Sequence, residues 1–525
     1  MNLEDLNLTD DKFKLVDRSE TIHDMELATK PIGYFKDAFN RFKKNKASLV
    51  AAVIIGILVL YAIFAPIFSP YSVSYADSNY SYALPRNSLF VKFGWNFWDG
   101  CTDAKVTKED FYYELSKGVE TGHNSIKNNK YTIVEELNPR KQVVTYYKYR
   151  LDTYQQVGVI FLNVSAEEYA NIQKYQDETG IQVIYPVTDP NQRPVSVQDN
   201  SNGGYWFKTT DIPEGSTSSD GKTHIVLDEN GDFINIYLPY SDKDNYTSKM
   251  RIEGENEYLY SYGIPNATGY EIRINYYEYY VYNHTYVLKD GIKTPSYLFG
   301  ATHSGQDIWT CLASGARFSF ILAILVAVVN LVVGAIYGAI EGYYGGKIDL
   351  FMERFVDILS AVPFMIVITL LKYHMEGSSP VLILFIAFFL TGWIGMASRT
   401  RMQFYRFKNQ EYVLAARTLG ASDKRIMFKH IFPNALGTLI TGCVLVIPSM
   451  IFSETSLSYL GIINLNNGRM TSVGTLLANA QPYLATYPHM VLFPALFISM
   501  LMLSFNLFGN GLRDAFNPSL RGSED

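Results

Sequence analysis

Cysteine is scarce in this 525-residue chain. Cys101, Cys311 and Cys443 are too few for a disulfide framework, and none belongs to a C-x-x-C pair with metal-ligand spacing. The eight histidines are scattered, with neither H-E-x-x-H nor H-x-x-x-H spacing, so no zinc site is legible. Charge is thin as well: Asp, Glu, Lys and Arg make up 18% of the residues, against about 25% in an ordinary soluble protein. The formal net charge is −6, which argues against a nucleic-acid binder resting on a basic patch. A disordered chain is excluded by 48% hydrophobic and 15% aromatic content.

What is present is blocked rather than spread. Ala47–Phe68 contains no charged residue, and about 22 residues at 1.5 Å each cross a hydrocarbon core of about 30 Å. A cleaved leader would need a small-residue site, which Phe64-Ala65-Pro66-Ile67-Phe68 does not supply, so this run reads as a retained transmembrane helix. Further apolar runs at Phe318–Ile340, Phe355–Leu371, Val381–Ala397, Ala435–Phe452 and Pro488–Phe508 make six expected spans. Between the first and second lies a polar stretch, residues 71–310, which holds 21 of the 45 basic and 31 of the 51 acidic residues. One chain thus occupies two physical environments.

Basic residues near span ends set the orientation. Arg41, Lys43, Lys44 and Lys46 precede the first span and place the N-terminus in the cytoplasm. Six spans then put the fourth-to-fifth loop inside too, and that loop carries Arg399, Arg401, Arg406, Lys408, Arg417, Lys424, Arg425 and Lys429 against only Glu411 and Asp423. The two clusters agree. Residues 71–310 and the loops near 372–380 and 461–487 are expected outside, and Arg513 and Arg521 inside. Residues 1–30 are acidic and read as disordered, whereas Phe35, Phe39 and Phe42 recur at helical spacing among lysines and arginines, as in an interfacial helix.

The polar stretch carries 29 of the 40 tyrosines and reads as an α+β domain. Alternation predicts strands within Val143–Leu151 and across Tyr270–Tyr286. Val157–Val164 reads as a strand, Ser165-x-x-Glu168 as a capping box opening a helix to Glu178, Gly180 as its stop, and Ile181–Val187 as a further strand. Thr107 to Gly118 reads as another capped helix. His123, His224, His284 and His303 have no nucleophile signature beside them, so no catalytic constellation emerges. Binding of a protein partner is the leading reading of this domain, ahead of sheet packing with no specific contact and of a direct ligand site.

The basic loop contains Glu411-Tyr-Val-Leu-Ala415-Ala416-Arg417-Thr-Leu-Gly420-Ala421-Ser422-Asp423, followed by Lys424-Arg-Ile-Met-Phe-Lys-His-Ile-Phe-Pro433-Asn434. It reads as a helix, a break at Gly420 and a second helix capped by Ser422, favoured by Asp423 at its positive end and stopped by Pro433. Ala415 and Ala416 keep one face thin, so that another protein's groove can reach the backbone. An amphipathic loop on anionic lipid would also explain the basic residues.

Glu411–Asn434 resembles the cytoplasmic EAA loop of binding-protein-dependent ABC importer permeases, in the form found in the oligopeptide, dipeptide and nickel subfamily. Arg41–Ala47 with Phe64–Tyr71 resembles the first-span block of its C-type subunit. Gly305-Gln306-Asp307, Gly315-Ala316-Arg317, Ser456–Gly461, Gly474–Gln481 and Asn506–Asp514 also resemble elements of that family, so that the resemblance covers about 280 of the 525 residues and leaves out the polar stretch. The residue at the glutamate that names the loop is Leu414, and the usual G-R-D is Gly305-Gln306-Asp307.

The resemblance implies an all-α membrane protein with the six-helix type I permease fold and an inserted α+β extracellular domain. Its divisions are a cytoplasmic tail (1–46), the first span (47–68), the inserted domain (69–310), the permease domain (311–515) and a second cytoplasmic tail (516–525). It further implies an importer subunit in a bacterial cell membrane, paired with a homologous second permease subunit, two ABC ATPase subunits and an extracellular substrate-binding lipoprotein, with residues 71–310 a candidate dock for the last. Coupling to the ATPases would fall to Glu411, Ala415, Ala416, Arg417, Gly420, Ala421, Ser422 and Asp423. Oligopeptides are the expected cargo, with dipeptides, nickel or another small solute as alternatives. A membrane-anchored sensor with a ligand-binding outer domain is the rival of a different class. Gly342-Tyr-Tyr-Gly-Gly346-Lys347-Ile348 superficially resembles a phosphate loop, but residue 341 is Glu and Ile348 stands where Ser or Thr is required. No cofactor is therefore expected on this chain; ATP and magnesium would be bound by the partner ATPases. Glu454, Asn330 and Asn506 are polar residues in or beside apolar runs and are candidates for the substrate path.

Overall fold

The computed structural model describes residues 34–516, apart from 138–142, 186, 189–208, 211, 213–214, 220–223, 231–246, 252–256 and 466–470. The acidic segment 1–30, Arg521 and all but Phe516 of the second tail lie outside the described residues.

Helix α1 (Tyr34–Lys44) turns at Asn45 into the first span, α2 (Lys46–Phe68). Phe42 of α1 is buried edge-on against Phe508, 5.2 Å between ring centroids, while Phe39 stays exposed. The apolar spacing of α1 is thus divided between the bundle and its surroundings. After the polar domain come α7 (Ile308–Tyr344), α8 (Gly346–Ser360), α9 (Phe364–His374), α10 (Pro380–Gly392), α11 (Ile394–Phe407), α12 (Glu411–Thr418), α13 (Asp423–Arg425), α14 (Phe432–Tyr459), α15 (Val473–Ala480) and α16 (His489–Phe516).

Among the described residues, five helices are long and apolar enough to cross a membrane: Lys46–Phe68, Ile308–Tyr344, Pro380–Phe407, Asp423–Tyr459 and His489–Phe516. The span expected at Phe355–Leu371 is a broken one, α8 and α9 meeting at 73°. Pro363 explains the break, because it has no N–H to donate and pushes the preceding residue out of helical geometry. Counting that pair gives six. The turn at Gly345 and Gly346, both with positive φ, closes α7 and opens α8, so the superficial phosphate loop is a helix-exit turn.

Helices α7 and α11 approach unusually closely. A Cβ on Gly334 would lie 2.6 Å from the Trp393 carbonyl oxygen, one on Gly338 2.1 Å from that of Ala397, and one on Gly342 2.7 Å from that of Arg401. Glycine at every fourth position is the small-residue ridge that lets membrane helices pack backbone to backbone.

In the polar domain, a three-stranded antiparallel sheet has Val143–Asp152 at its centre, flanked by Cys101–Val106 and Ile126–Leu137. Helix α4 (Lys108–Thr121) covers it, Phe111 stacking on Tyr147 at 4.4 Å. A second antiparallel sheet pairs Val159–Ser165 with Gly269–Asn275, which also pairs Ile264–Pro265 and Ile184–Tyr185. Helix α5 (Ala166–Thr179) begins at Ser165, whose hydroxyl accepts the Glu168 amide, and ends at Gly180 in the left-handed conformation.

Two strand expectations are corrected. Ile181–Val187 shrinks to Ile184–Tyr185 and the start of Val187–Thr188. Tyr270–Tyr286 is a strand only to Asn275, where α6 (Tyr276–Tyr282) begins and passes into a π-turn over Asn283–Leu288. The Asn275 side chain accepts the Glu278 amide, so Asn-x-x-Glu is a helix start that tyrosine-rich alternation conceals. The tyrosines then fill the core: Tyr276 donates to Asp77 at 2.6 Å, Tyr71 and Tyr280 share a hydrogen bond of 3.0 Å, and Tyr75 meets His284, which also contacts Asp290.

The domain is bolted to the bundle. Gly305 has φ +76 and its Cβ position lies 1.7 Å from the Asp77 carbonyl oxygen, so no side chain fits there. Gln306 donates to the Val73 carbonyl at 2.8 Å, and Asp307 caps α7 through the Thr310 amide and hydroxyl. Tyr82 stacks on Tyr487 at 4.6 Å.

A short helix α3 (Ser88–Lys92) begins a loop whose ends are pinched together, the Asn87 amide donating to the Trp98 carbonyl at 2.8 Å. Asp99, buried beside it, accepts from Lys127 at 2.7 Å, from the Cys101 amide and from Arg150 at 2.7 Å. Burial alone would raise this carboxyl; Lys127, the Cys101 amide and Arg150 outweigh it and hold Asp99 below the ordinary carboxylate value. A carboxyl depressed by folding contributes stability above its unfolded value of about 3.9, lost as pH falls through the folded value. Thermal melts of the purified chain in lipid are therefore expected to separate wild type from Asp99→Asn at neutral pH, to draw together as pH falls below about 4 and to converge only below the folded value; a gap unchanged by acid would contradict this assignment.

Candidate functional site

The loop of residues 411–434 is built on a helix end with a defined geometry. Helix α12 stops at Leu419, Gly420 takes φ +77, the Gly420 amide donates to the Arg417 carbonyl and the Ala421 amide to the Ala416 carbonyl. Those two bonds form a Schellman cap, with glycine at its left-handed position. A Cβ at Gly420 would meet nothing within 4 Å, so backbone conformation and not crowding within this chain calls for glycine there.

The cap sorts the candidate residues by face. Val413 and Ala416 turn inward and are buried, as are Ile426, Met427 and Ile431 beyond the break. Val413, Ile426, Met427 and Ile431 pack with Ala339 and Tyr343 of α7 and Phe404 of α11. Glu411, Ala415, Arg417, Gly420, Ser422 and Asp423 remain exposed, and Ala421 is half-buried against the same cluster. Ala416 is thus a correction: it seats the loop on its own bundle and leaves the thin outer face to Ala415 and Gly420. Leu419, between them, is 88% exposed and has no polar reason to be there. It was missed in the sequence, where its only signal is an apolar residue immediately before a glycine break.

Pro433 is a second correction. It does not stop the second helix, since α13, a π-turn over Ile426–Ile431 and α14 run on as one 37-residue element. The Phe432 amide reaches back to the Met427 carbonyl, and Pro433 then falls in the first turn of α14, where a missing N–H costs little. Ser422 caps through backbone alone, with no side-chain bond. Asp423 accepts from the Tyr343 hydroxyl at 2.6 Å, and the Arg417 guanidinium lies 5.9 Å from the Tyr343 ring. One tyrosine at the end of α7 thereby holds both sides of the break.

Beneath the loop, Arg401 of α11 donates to both oxygens of Asp349 at 2.6 and 3.0 Å. It also lies 3.5 Å from Glu341 and 3.2 Å from Glu353. Tyr405 donates to Asp349, and Lys408 to the Gly342 carbonyl. Part of the basic cluster is therefore spent joining α7, α8 and α11 and is unavailable to lipid. Helix α7 runs about 55 Å, from Asp307 at the polar domain to Tyr343 at the loop, and offers a rigid connection between the two faces.

The three polar path candidates are not brought together. Glu454 is buried and accepts from Ser319 at 2.8 Å and Ser458 at 3.0 Å, which interlocks α14 with α7. Asn330 is buried against Gly392, about three turns along α7 from Ser319. Asn506 is exposed on α16.

Among the described residues, a bundle of five helices and one broken pair that can span a membrane, with an exposed helix break packed on its end, defines a multi-pass membrane protein. Residues 331–522 match the model of the binding-protein-dependent transport system inner membrane component, and residues 33–85 that of the N-terminal TM domain of oligopeptide transport permease C. The chain is 41% identical over 231 residues to the oligopeptide transport system permease protein OppC of Bacillus subtilis, covering 44% of this chain and 74% of that protein. It is 38% identical over 224 residues to the dipeptide permease DppC of the same organism, covering 42% and 69%. With OppC of Escherichia coli K12 it shares 38% over 223 residues, covering 42% and 72%. The chain belongs to this family of binding-protein-dependent ABC importer permeases.

Proposed function

We propose that this subunit forms half of the transmembrane path of a peptide importer, with a homologous second permease subunit forming the other half. Two ABC ATPases bind and hydrolyse ATP with magnesium on its cytoplasmic side, and an extracellular lipoprotein delivers cargo, docking on residues 71–310. Both termini are cytoplasmic. Oligopeptide permeases among the relatives favour oligopeptides over the dipeptide reading; nickel and other small solutes remain outcomes of the test.

The observation that carries this reading is the presented tip at Leu419 and Gly420, exposed outward and backed by Tyr343 and Phe404. A groove on an ATPase closes over Ala415, Leu419 and Gly420; Glu411, Arg417, Ser422 and Asp423 frame it, and Ala416 and Ala421 hold its back to the bundle. Closure of two ATPases moves α7 and α11 as a unit, which is alternating access by rigid-body coupling. In this scheme Glu454 and Asn330 reach the path only when helices part, and Asn506 faces it from α16.

ATPase activity of the co-purified complex in lipid, with and without binding protein loaded with a mixed peptide pool, tests the proposal. Stimulation by loaded binding protein is the expected result. ATPases without a peptide response would retain the importer and reject peptide as cargo, whereas a chain recovered with no ATPase would favour the sensor.

A further inference from the structure

The loop from Ser88 to Phe97 presents large apolar side chains where a water-facing domain has little use for them. Leu89 is 60% exposed, Phe93 70%, Trp95 55% and Phe97 63%. The segment contains no acidic residue, and Lys92 is its one charge. Its polar side is turned back into the domain: Lys127 donates to the Asn96 side chain at 3.1 Å and Arg150 to the Asn96 carbonyl at 3.2 Å. The aromatic tips therefore point away from the sheet that holds them.

The loop sits beside the start of α16, a helix long and apolar enough to cross a membrane. Trp98, at its closing end, stacks on Phe493 at 5.9 Å and 14°. Phe493 lies in the first turns of α16 and stacks in turn on Phe299 at 4.1 Å. Below that contact α16 exposes Leu492, Leu496, Met500 and Leu503, an apolar stripe along a spanning helix. The exposed tips connect to α16 through the ring contacts that run from Trp95 and Phe97 by way of Phe90 and Trp98 to Phe493, and tryptophan, phenylalanine and a lysine that can reach headgroups suit a membrane–water boundary.

We propose that Leu89, Phe93, Trp95 and Phe97 insert into the lipid leaflet at the rim where α16 begins, making the loop an interfacial anchor for the inserted domain. The pinch between Asn87 and Trp98 and the grip on Asp99 keep it a closed wedge, and the Trp98 contact fixes its height against α16. The domain is thus steadied by bilayer as well as by the bundle, whatever solute is carried. The anchor needs only that α16 crosses the membrane.

Spin labels on the full chain in phosphatidylglycerol-containing proteoliposomes test this, with Cys101, Cys311 and Cys443 replaced. Labels at Phe93→Cys and Phe97→Cys are compared with Leu496→Cys on the α16 stripe and Lys130→Cys on the exposed sheet. Oxygen access high and nickel-chelate access low, near the Leu496→Cys ratio and several-fold above the Lys130→Cys ratio, is expected. A water-like ratio would overturn the anchor, and so would low access to both reagents, which marks a covering protein surface. Photoactivatable phosphatidylglycerol with the wild-type chain guards against misfolded variants: adducts are expected within residues 88–97, and their absence there alongside labelling of α16 would also overturn it.

Discussion

Gly420→Asp and Leu419→Asp are expected to abolish peptide uptake while leaving the chain folded in the membrane. Neither position supports the fold through packing. The Cβ of residue 420 would enter open space and Leu419 is 88% exposed, so an added carboxylate disturbs what docks there and not what lies beneath. Glycine's left-handed φ makes Gly420→Ala cost about 1 kcal/mol of local stability, a helix-end strain the chain can absorb. Gly420→Ala is accordingly expected to retain much of the uptake that Gly420→Asp loses. Ala416→Asp behaves differently: it places a carboxylate at a buried position and is expected to lower the amount of assembled complex. Membrane abundance, ATPase recovery and uptake, measured on all four variants, separate the two effects. Normal uptake by Gly420→Asp would remove the docking assignment, and loss of abundance equal to that of Ala416→Asp would show the tip to be structural.

Arg401→Ala is expected to fail at an earlier step, in the stability of the inner half of the bundle. The guanidinium answers three carboxylates, Asp349, Glu353 and Glu341, and the Glu341 side chain is only 2% exposed. Removing the cation leaves three carboxylates facing one another with the Tyr405 hydroxyl on Asp349 as the remaining donor, at a cost of about 1–3 kcal/mol for a cluster that is only partly buried. Arg401→Lys restores a charge without the planar two-bond contact to Asp349 and is expected to be intermediate. Arg425→Ala, in the same basic loop but exposed, is expected to be neutral. Thermal unfolding of purified chains in lipid reads all three. Equal behaviour of Arg401→Ala and Arg425→Ala would mean the cluster acts only through membrane orientation.

The contrast between those two arginines shows where sequence reading stops. Both count equally in a charge census that places a loop on the cytoplasmic side, because that rule depends on number and proximity to span ends. Which of them closes a network depends on α11 meeting α7 and α8, where Arg401 and Asp349 are 52 residues apart in sequence. The glycines 334, 338 and 342 could have signalled that meeting, since a repeat of every fourth residue in an apolar run marks a packing ridge. Capping signals were read where the cap is local: Ser165 with Glu168 and Gly180 opened and closed α5 as expected. Asn275 with Glu278 carried the same kind of signal and was hidden under the alternation of Tyr270–Tyr286.

Sequence by itself determined the membrane class, the break at Gly420 and the motifs that place the chain in its family, because apolar run length, φ preference and helix caps act over a few residues. The bend at Pro363 belongs partly to this local chemistry, but its 73° angle does not. Tertiary structure decided that Ala416 faces inward, that Pro433 begins a turn instead of ending a helix, that Glu454 interlocks α14 with α7, and that the aromatic loop lies beside α16. Each is a question of which face a side chain meets, and the neighbours that answer it come from distant parts of the chain.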